Sequence, residues 1–201
     1  MSGHANLDID IKNYNIYNVP IIIANKETLK GYANIVYDYD NEKVINVIWP
    51  KITGRKIVEN TGNEALPTEG FFHFEYKNNK LLATNYSVNN GSYEVGVIND
   101  NSIYVREANY HPCGGQIVFP TQNIPFLILL SKADDNIKPE DFIAFKCDGT
   151  FGIQILPNIW HQPIIPFVKD SAIFKNKQCS VHACVMVDTI EEFNVILKIY
   201  L

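Results

Sequence analysis

The sequence predicts an all-β protein, an antiparallel sandwich or barrel with a few short helices, and three observations carry that prediction. Short strand-like runs recur along the chain, and turn-forming pairs separate them. Eleven Tyr and eleven Phe lift the aromatic share to 12%, and aromatic side chains suit the pleated, half-buried surface of a strand. Helical signal is sparse.

Taken in order, "NKETLKGYANI" predicts one or two helical turns before Gly31. "KVINVIWP" reads as a strand ended by the turn at Lys51–Gly54. "GFFHFEYKNNKLLATNYSV" holds two strands around Asn78–Asn79, and further turns fall at Asn90–Gly91 and near Asp100–Asn101. Asn-Gly between alternating runs is the strongest short-range hairpin signal. "EDFIAFKCDGTFGIQILP" predicts another hairpin at Asp148–Gly149. "KDSAIF" and "TIEEF" are read as single helical turns, and "NVILKIYL" as a closing strand.

A chain of 201 residues can bury a sizeable core. With no linker, low-complexity tract or repeat, we read residues 1–201 as one domain, loose over about the first ten. The net charge of −5, with no basic block, argues against nucleic acid as a partner. Runs such as "VPIIIA" and "IPFLILL" are far shorter than the ~20 residues that span a bilayer, so no membrane partner is expected. The polar start "MSGHANLDIDIKN" lacks a signal-peptide pattern, and a cytoplasmic protein is expected. Cys113, Cys147, Cys179 and Cys184 form no CxxC pair, so reduced thiols are expected and a sulfur-ligated zinc is not.

Two stretches carry chemistry. "YHPCGGQIVFP", residues 110–120, sets His111, Cys113, Gly114, Gly115 and Gln116 before an apolar run. "FGIQILPNIWHQPIIPF", residues 151–167, sets Trp160 and His161 between Pro157 and Pro163, which restrict the backbone. A histidine titrates near neutral pH and serves as acid or base. Glutamine offers one acceptor and two donors.

The pair of stretches resembles the two conserved motifs of the cupin superfamily, whose His-bearing strands meet inside a small β-barrel. More closely, it resembles the ureidoglycolate lyase family of the cupins. That family's first motif is His-Pro, three residues, Gln, three residues, Pro, which here is His111, Pro112, Gln116 and Pro120. The second is a hydrophobe, Trp, His, and here reads Ile159, Trp160, His161, Gln162, Pro163. The likeness is good from about 103 to 168, fair near "KETLKGYANIVYD", and residues 44–100 look extended relative to the bacterial enzymes.

The resemblance implies a cupin-like double-stranded β-helix, a jelly-roll barrel. It implies a homodimer, and a lyase that splits the hemiaminal ureidoglycolate into glyoxylate and urea. His111 and His161 are then the catalytic candidates, together supplying a base for the hydroxyl and an acid for the departing nitrogen. Gln116, Arg106, Trp160 and Tyr110 are the substrate-binding candidates, with Arg55 and Lys146 competing with Arg106 for a substrate carboxylate. Cupins commonly hold a divalent metal. The usual His-x-His is here His111-Pro112-Cys113, and Gln116 replaces the expected Glu. His111, Gln116 and His161 remain a candidate set for nickel or manganese.

Two alternatives stay open: a metal-dependent cupin of other chemistry, and a non-enzymatic cupin that binds a small ligand. Other candidates have ordinary readings. His182 shares a face with Cys184 and Met186, toward the barrel or a dimer contact. His73 faces away from Phe72 and Phe74, Glu69 is a turn carboxylate that can reach a barrel mouth, Cys113 is a small filler, and His4 lies in the tail.

Overall fold

The described strands assemble into two sheets. The computed structural model describes residues 10–46, 57–58, 69–87, 91–179 and 184–201. Its strands are β1 (Asn15–Asn18), β2 (Ile21–Ile23), β3 (Ala33–Val36), β4 (Ile57–Val58), β5 (Glu69–Lys77), β6 (Lys80–Asn85), β7 (Ser92–Asn99), β8 (Ser102–Val105) and β9 (Glu107–Tyr110). They continue with β10 (Gln116–Pro120), β11 (Phe126–Ser131), β12 (Ile143–Cys147), β13 (Gly152–Ile155), β14 (Trp160–His161), β15 (Ile165–Pro166), β16 (Ser171–Gln178), β17 (Cys184–Asp188) and β18 (Val195–Tyr200). Helix α1 (Thr189–Phe193) lies between the last two.

The first sheet has the order β1-β18-β8-β7-β6-β5-β16-β10-β13-β3. The second has the order β2-β12-β11-β14-β9-β17-β4, with β15 also paired to β11. Pairing is antiparallel except at β1–β18 and β12–β2 among the described residues. This is the all-β, cupin-like arrangement that the sequence predicts.

Two hairpins form for the predicted reason. Asn78 and Asn79 have φ of 50° and 58°, and Asp100 and Asn101 have φ of 47° and 54°. Positive φ at both central residues matches the twist of the flanking strands, and Asn and Asp tolerate it. Asp148–Gly149 behaves differently. Gly149 takes φ of 89°, but β12 pairs with β11 and β2, whereas β13 pairs with β10 and β3. The turn passes from one sheet to the other. β13 is wholly buried and β12 is buried at three of its five positions, and each fills a place between two partners that a local hairpin would leave empty.

The "NKETLKGYANI" segment forms turns over residues 26–32, with the Leu29 N–H donating to the Asn25 carbonyl at 3.0 Å and Gly31 at φ of 82°, and not a regular helix. "KDSAIF" is not helical either. From Ser171 it is strand β16, because Ala172, Phe174 and Asn176 alternate inward and hydrogen-bonded neighbours wait on both sides. "TIEEF" is helical, with the Asp188 carboxylate capping the N–H groups of Ile190 and Glu191. "NVILKIYL" forms β18, but between β1 and β8, away from a sheet edge. "KVINVIWP" contributes a single bridge, Asn46 to Gly114, and its last four residues, like the turns predicted at 51–54 and 90–91, extend beyond or straddle the described residues.

The facing surfaces of the sheets are graded. Ala172, Phe174, Asn176 and Gln178 point inward in turn along β16, and Pro120, Val118 and Gln116 do so along antiparallel β10. At the apolar end, Phe174 packs edge-on against Phe74 of its own sheet at 5.8 Å and Phe126 of the other at 5.3 Å, centroid to centroid. At the other end the inward positions turn polar.

Candidate active site

The polar end is built from both motifs. The ring centroids of His111 and His161 lie 5.1 Å apart, inclined by 58°. Each histidine is 5% exposed, as is Gln116. His161 Nε2 lies 3.0 Å from Gln116 Oε1, so β14 of one sheet touches β10 of the other through these side chains. Gln116 Nε2 donates to Asn176 Oδ1 at 2.9 Å, and Asn176 Nδ2 donates to Ser87 Oγ at 2.7 Å. On the other side of the ring, His161 Nδ1 lies 2.8 Å from the carbonyl oxygen of Ile159. A carbonyl oxygen only accepts, so the Ile159 contact takes a hydrogen on Nδ1 and the Gln116 Oε1 contact takes one on Nε2.

Local backbone explains the placement. Asn158 takes φ of 64° in the Pro157-Asn158 turn, and its N–H donates to the His111 carbonyl at 3.1 Å. The two motifs are thereby joined through the main chain. Gly115 N–H donates to the Ile45 carbonyl at 2.8 Å. A Cβ on Gly114 would sit 2.2 Å from the same carbonyl oxygen and 2.5 Å from Cys179 Cβ. Cys113 Sγ lies 2.7 Å from Cys179 Sγ, both buried. The loop between His111 and Gln116 is therefore held on both sides.

Comparison with known proteins bears directly on this arrangement. The model of a protein family described as ureidoglycolate lyase matches residues 59–194, which include both motifs. The chain belongs to the ureidoglycolate lyase family. A ureidoglycolate lyase of Azotobacter vinelandii is 30% identical over 66 residues, 33% of this chain and 40% of that protein. A ureidoglycolate lyase of Brucella anthropi is 34% identical over 61 residues, 30% of this chain and 36% of that protein. The chain thus matches well under half the length of these curated relatives.

Within this member of the ureidoglycolate lyase family, the remaining candidates lie as follows. Tyr110 and Trp160 sit one residue out of phase with Asn109 and His161, which pair across β9 and β14. They therefore occupy the opposite face of the second sheet, where their rings meet edge-on at 4.6 Å. There Trp160 Nε1 donates to the Asp134 carbonyl at 2.8 Å and Tyr110 Oη lies 3.4 Å from Asp135 Oδ1. Arg106 is engaged by the Asp188 carboxylate and, at 3.6 Å, by Glu191. Burial pulls its pKa down, but Asp188, Glu107 and Glu191 more than offset this and the net shift is upward. Lys146 is exposed, 5.1 Å over the Phe167 ring. Arg55, His182 and His4 lie outside the described residues.

Among the other candidates, Glu69 pairs with Lys177 at 3.3 Å. His73 is half-buried between the fully inward Phe72 and Phe74. Burial, aided by the Asp148 charge, pushes the Cys147 thiol well above its ordinary value, as for an inert core thiol.

Among the described residues no three His, Cys, Asp or Glu side chains come together as a metal-ligand set. Both His161 nitrogens lie within hydrogen-bonding distance of oxygens. For His111, Gln116 and His161 to hold a nickel or manganese ion, the His161 Nε2–Gln116 Oε1 contact would have to open.

Asn176, Ser87, Asn109 and Gln178 escaped the motif-based reading. The signal for two of them was present in "SAIFKNKQ", where inward positions run Ala, Phe, Asn, Gln. Amides at consecutive inward positions at one strand end mark the polar mouth of a barrel. Ser87 had no comparable signal.

Proposed function

We propose that this chain is a lyase that cleaves ureidoglycolate, a ureido hemiaminal, to glyoxylate and urea by histidine acid/base chemistry. The observation that carries this reading is the buried pair of imidazoles, 5.1 Å apart, with Gln116 beside His161. Membership of the ureidoglycolate lyase family supports it.

His111 takes the proton of the substrate hydroxyl. The O–H electrons form the new carbonyl, the C–N bond breaks, and its electron pair stays on the ureido nitrogen. His161 Nε2 supplies a proton to that nitrogen, and Gln116 keeps the ring in position. Proton transfer between the two histidines, directly or through water, restores the starting state. No charge is left over, and no outside reactant is consumed. Tyr110 and Trp160 act from behind the sheet by fixing the strands that hold the two histidines. Arg106, tied to Asp188 and Glu191, keeps the β9–α1 corner in place. The same reading makes each chain one domain of a cytoplasmic homodimer. Sedimentation equilibrium returning 22.9 kDa would remove the dimer.

The activity test is direct. The purified protein is given ureidoglycolate, and glyoxylate is followed by its reaction with a hydrazine. His111→Gln and His161→Gln should each lower kcat by about 100-fold to 10,000-fold, the usual contribution of a general acid or base. They should leave the circular dichroism spectrum unchanged. Absence of glyoxylate with the wild-type protein, or full activity in both variants, removes the proposal.

A further inference from the structure

Two amide side chains beside the histidines carry acceptors that no hydrogen bond among the described residues uses. Asn109 Oδ1 and Gln178 Oε1 are buried without a hydrogen-bond partner among the described residues. Their placement follows from register. Asn109 is directly opposite His161 across β9 and β14, and Gln178 is directly opposite Gln116 across β16 and β10. Residues directly opposite in antiparallel strands project from the same face. Asn109 therefore accompanies His161, and Gln178 accompanies Gln116, on the two sides of the His161–Gln116 contact. Gln178 also shares its face with Asn176, two residues earlier on the strand, which is bonded to Gln116. A buried acceptor left unpaired costs free energy comparable to a lost hydrogen bond. Two such acceptors flanking one reactive pair are suited to a ligand that arrives with N–H donors.

We propose that Asn109 and Gln178 are substrate-recognition residues whose side-chain carbonyl oxygens accept hydrogen bonds from the N–H groups of a ureido function. A ureido group carries a terminal NH2 and an internal N–H, and so presents donors toward both amides. This places the ureido nitrogen at the histidines and leaves the carboxylate end elsewhere. The identity of the donor-rich group rests on the ureidoglycolate reading above, while the acceptor pair stands on geometry alone.

The test is calorimetric binding of two inert probes to the full-length protein. N-carbamoylglycine keeps the ureido group and the carboxylate but has no hydroxyl to lose. N-acetylglycine keeps the carboxylate and internal N–H, with a methyl group in place of the terminal NH2. The wild-type protein should bind N-carbamoylglycine about tenfold more tightly, the scale of one well-made hydrogen bond. Gln178→Met and Asn109→Leu should each reduce that preference severalfold. Their thermal midpoints should stay level or rise, because an apolar group then replaces an unpaired acceptor. A merely structural amide would instead lower the midpoint and leave the preference intact. That result in both variants overturns the inference, as does a wild-type protein that binds neither probe or does not discriminate. If one variant fails to fold, the other decides. Glyoxylate release is scored separately. A protein that cleaves ureidoglycolate while both variants keep the preference loses only this inference. One that discriminates as expected but releases no glyoxylate loses only the lyase reading.

Discussion

Gly114 shows how much of the site depends on a missing side chain. Any Cβ there meets the Ile45 carbonyl oxygen at 2.2 Å and Cys179 Cβ at 2.5 Å, and the first of these is backbone. Gly114→Ala should therefore destabilise the protein by about 1–3 kcal/mol, the range for overpacking a tight interior. Urea unfolding would measure it. The same substitution should depress turnover beyond its effect on stability, since it displaces the loop that sets the His111–Gln116 spacing. A variant with wild-type midpoint and activity would show that the segment around Ile45 yields without cost. The pair of glycines in "HPCGGQ" announces a tight turn in the sequence. What presses on that turn, a carbonyl almost seventy positions earlier, is a tertiary fact.

Among elements, α1 is short enough that its cap decides whether it forms. Asp188 caps it through Ile190 N at 3.0 Å and Glu191 N at 3.1 Å, and also pairs with Arg106. Asp188→Ala should cost about 1 kcal/mol for the cap, with a further loss because the Arg106 guanidinium loses its hydrogen-bonded partner and keeps only the more distant charges of Glu191 and Glu107. Asp188→Asn should recover the cap and only part of the total, which chemical denaturation of the three proteins would resolve. The helix itself was legible as "TIEEF" with an Asp before it. Strand β16 was not, because "KDSAIF" contains charge and Ala that suit a helical turn locally. Pairing with β5 and β10 overrides that preference over eight residues. The hairpin expected at Asp148–Gly149 fails for the same reason: turn chemistry specifies the bend, and sheet partners specify where the strands go.

For the molecule as a whole, Phe174 and Tyr76 report on how the sheets are held. Phe174 touches Phe74 in its own sheet and Phe126 in the facing one. Phe174→Ala should lower stability by about 3–5 kcal/mol, the range for removing a fully buried aromatic ring. Equilibrium unfolding should register this as a lower midpoint at unchanged denaturant slope. Tyr76 Oη donates to the Pro166 carbonyl at 2.7 Å, and burial pushes its pKa up to about 12. The folded state thus favours the neutral phenol. That stabilisation is complete below the unfolded value of about 10 and is lost as pH rises from there to about 12. Tyr39, raised chiefly by burial, acts in the same direction. Stability should fall across this alkaline window, and Tyr76→Phe should make the fall shallower. An unchanged slope in that variant would remove Tyr76 as a cause.

The amino-acid order alone determined the strand-rich class, the Asn-Asn and Asp-Asn hairpins, and the two motifs carrying His111, Gln116 and His161. These follow from short-range rules of backbone preference and from residue spacing. Only the tertiary structure decided that the His111 and His161 rings stand 5.1 Å apart, that Arg106 is tied to acidic partners, and that Asn109 and Gln178 carry acceptors with no partner among the described residues. The physical reason is register. A strand's side chains alternate by fixed rule, but which strand lies opposite, and at which residue, is set by long-range pairing and burial across the two sheets.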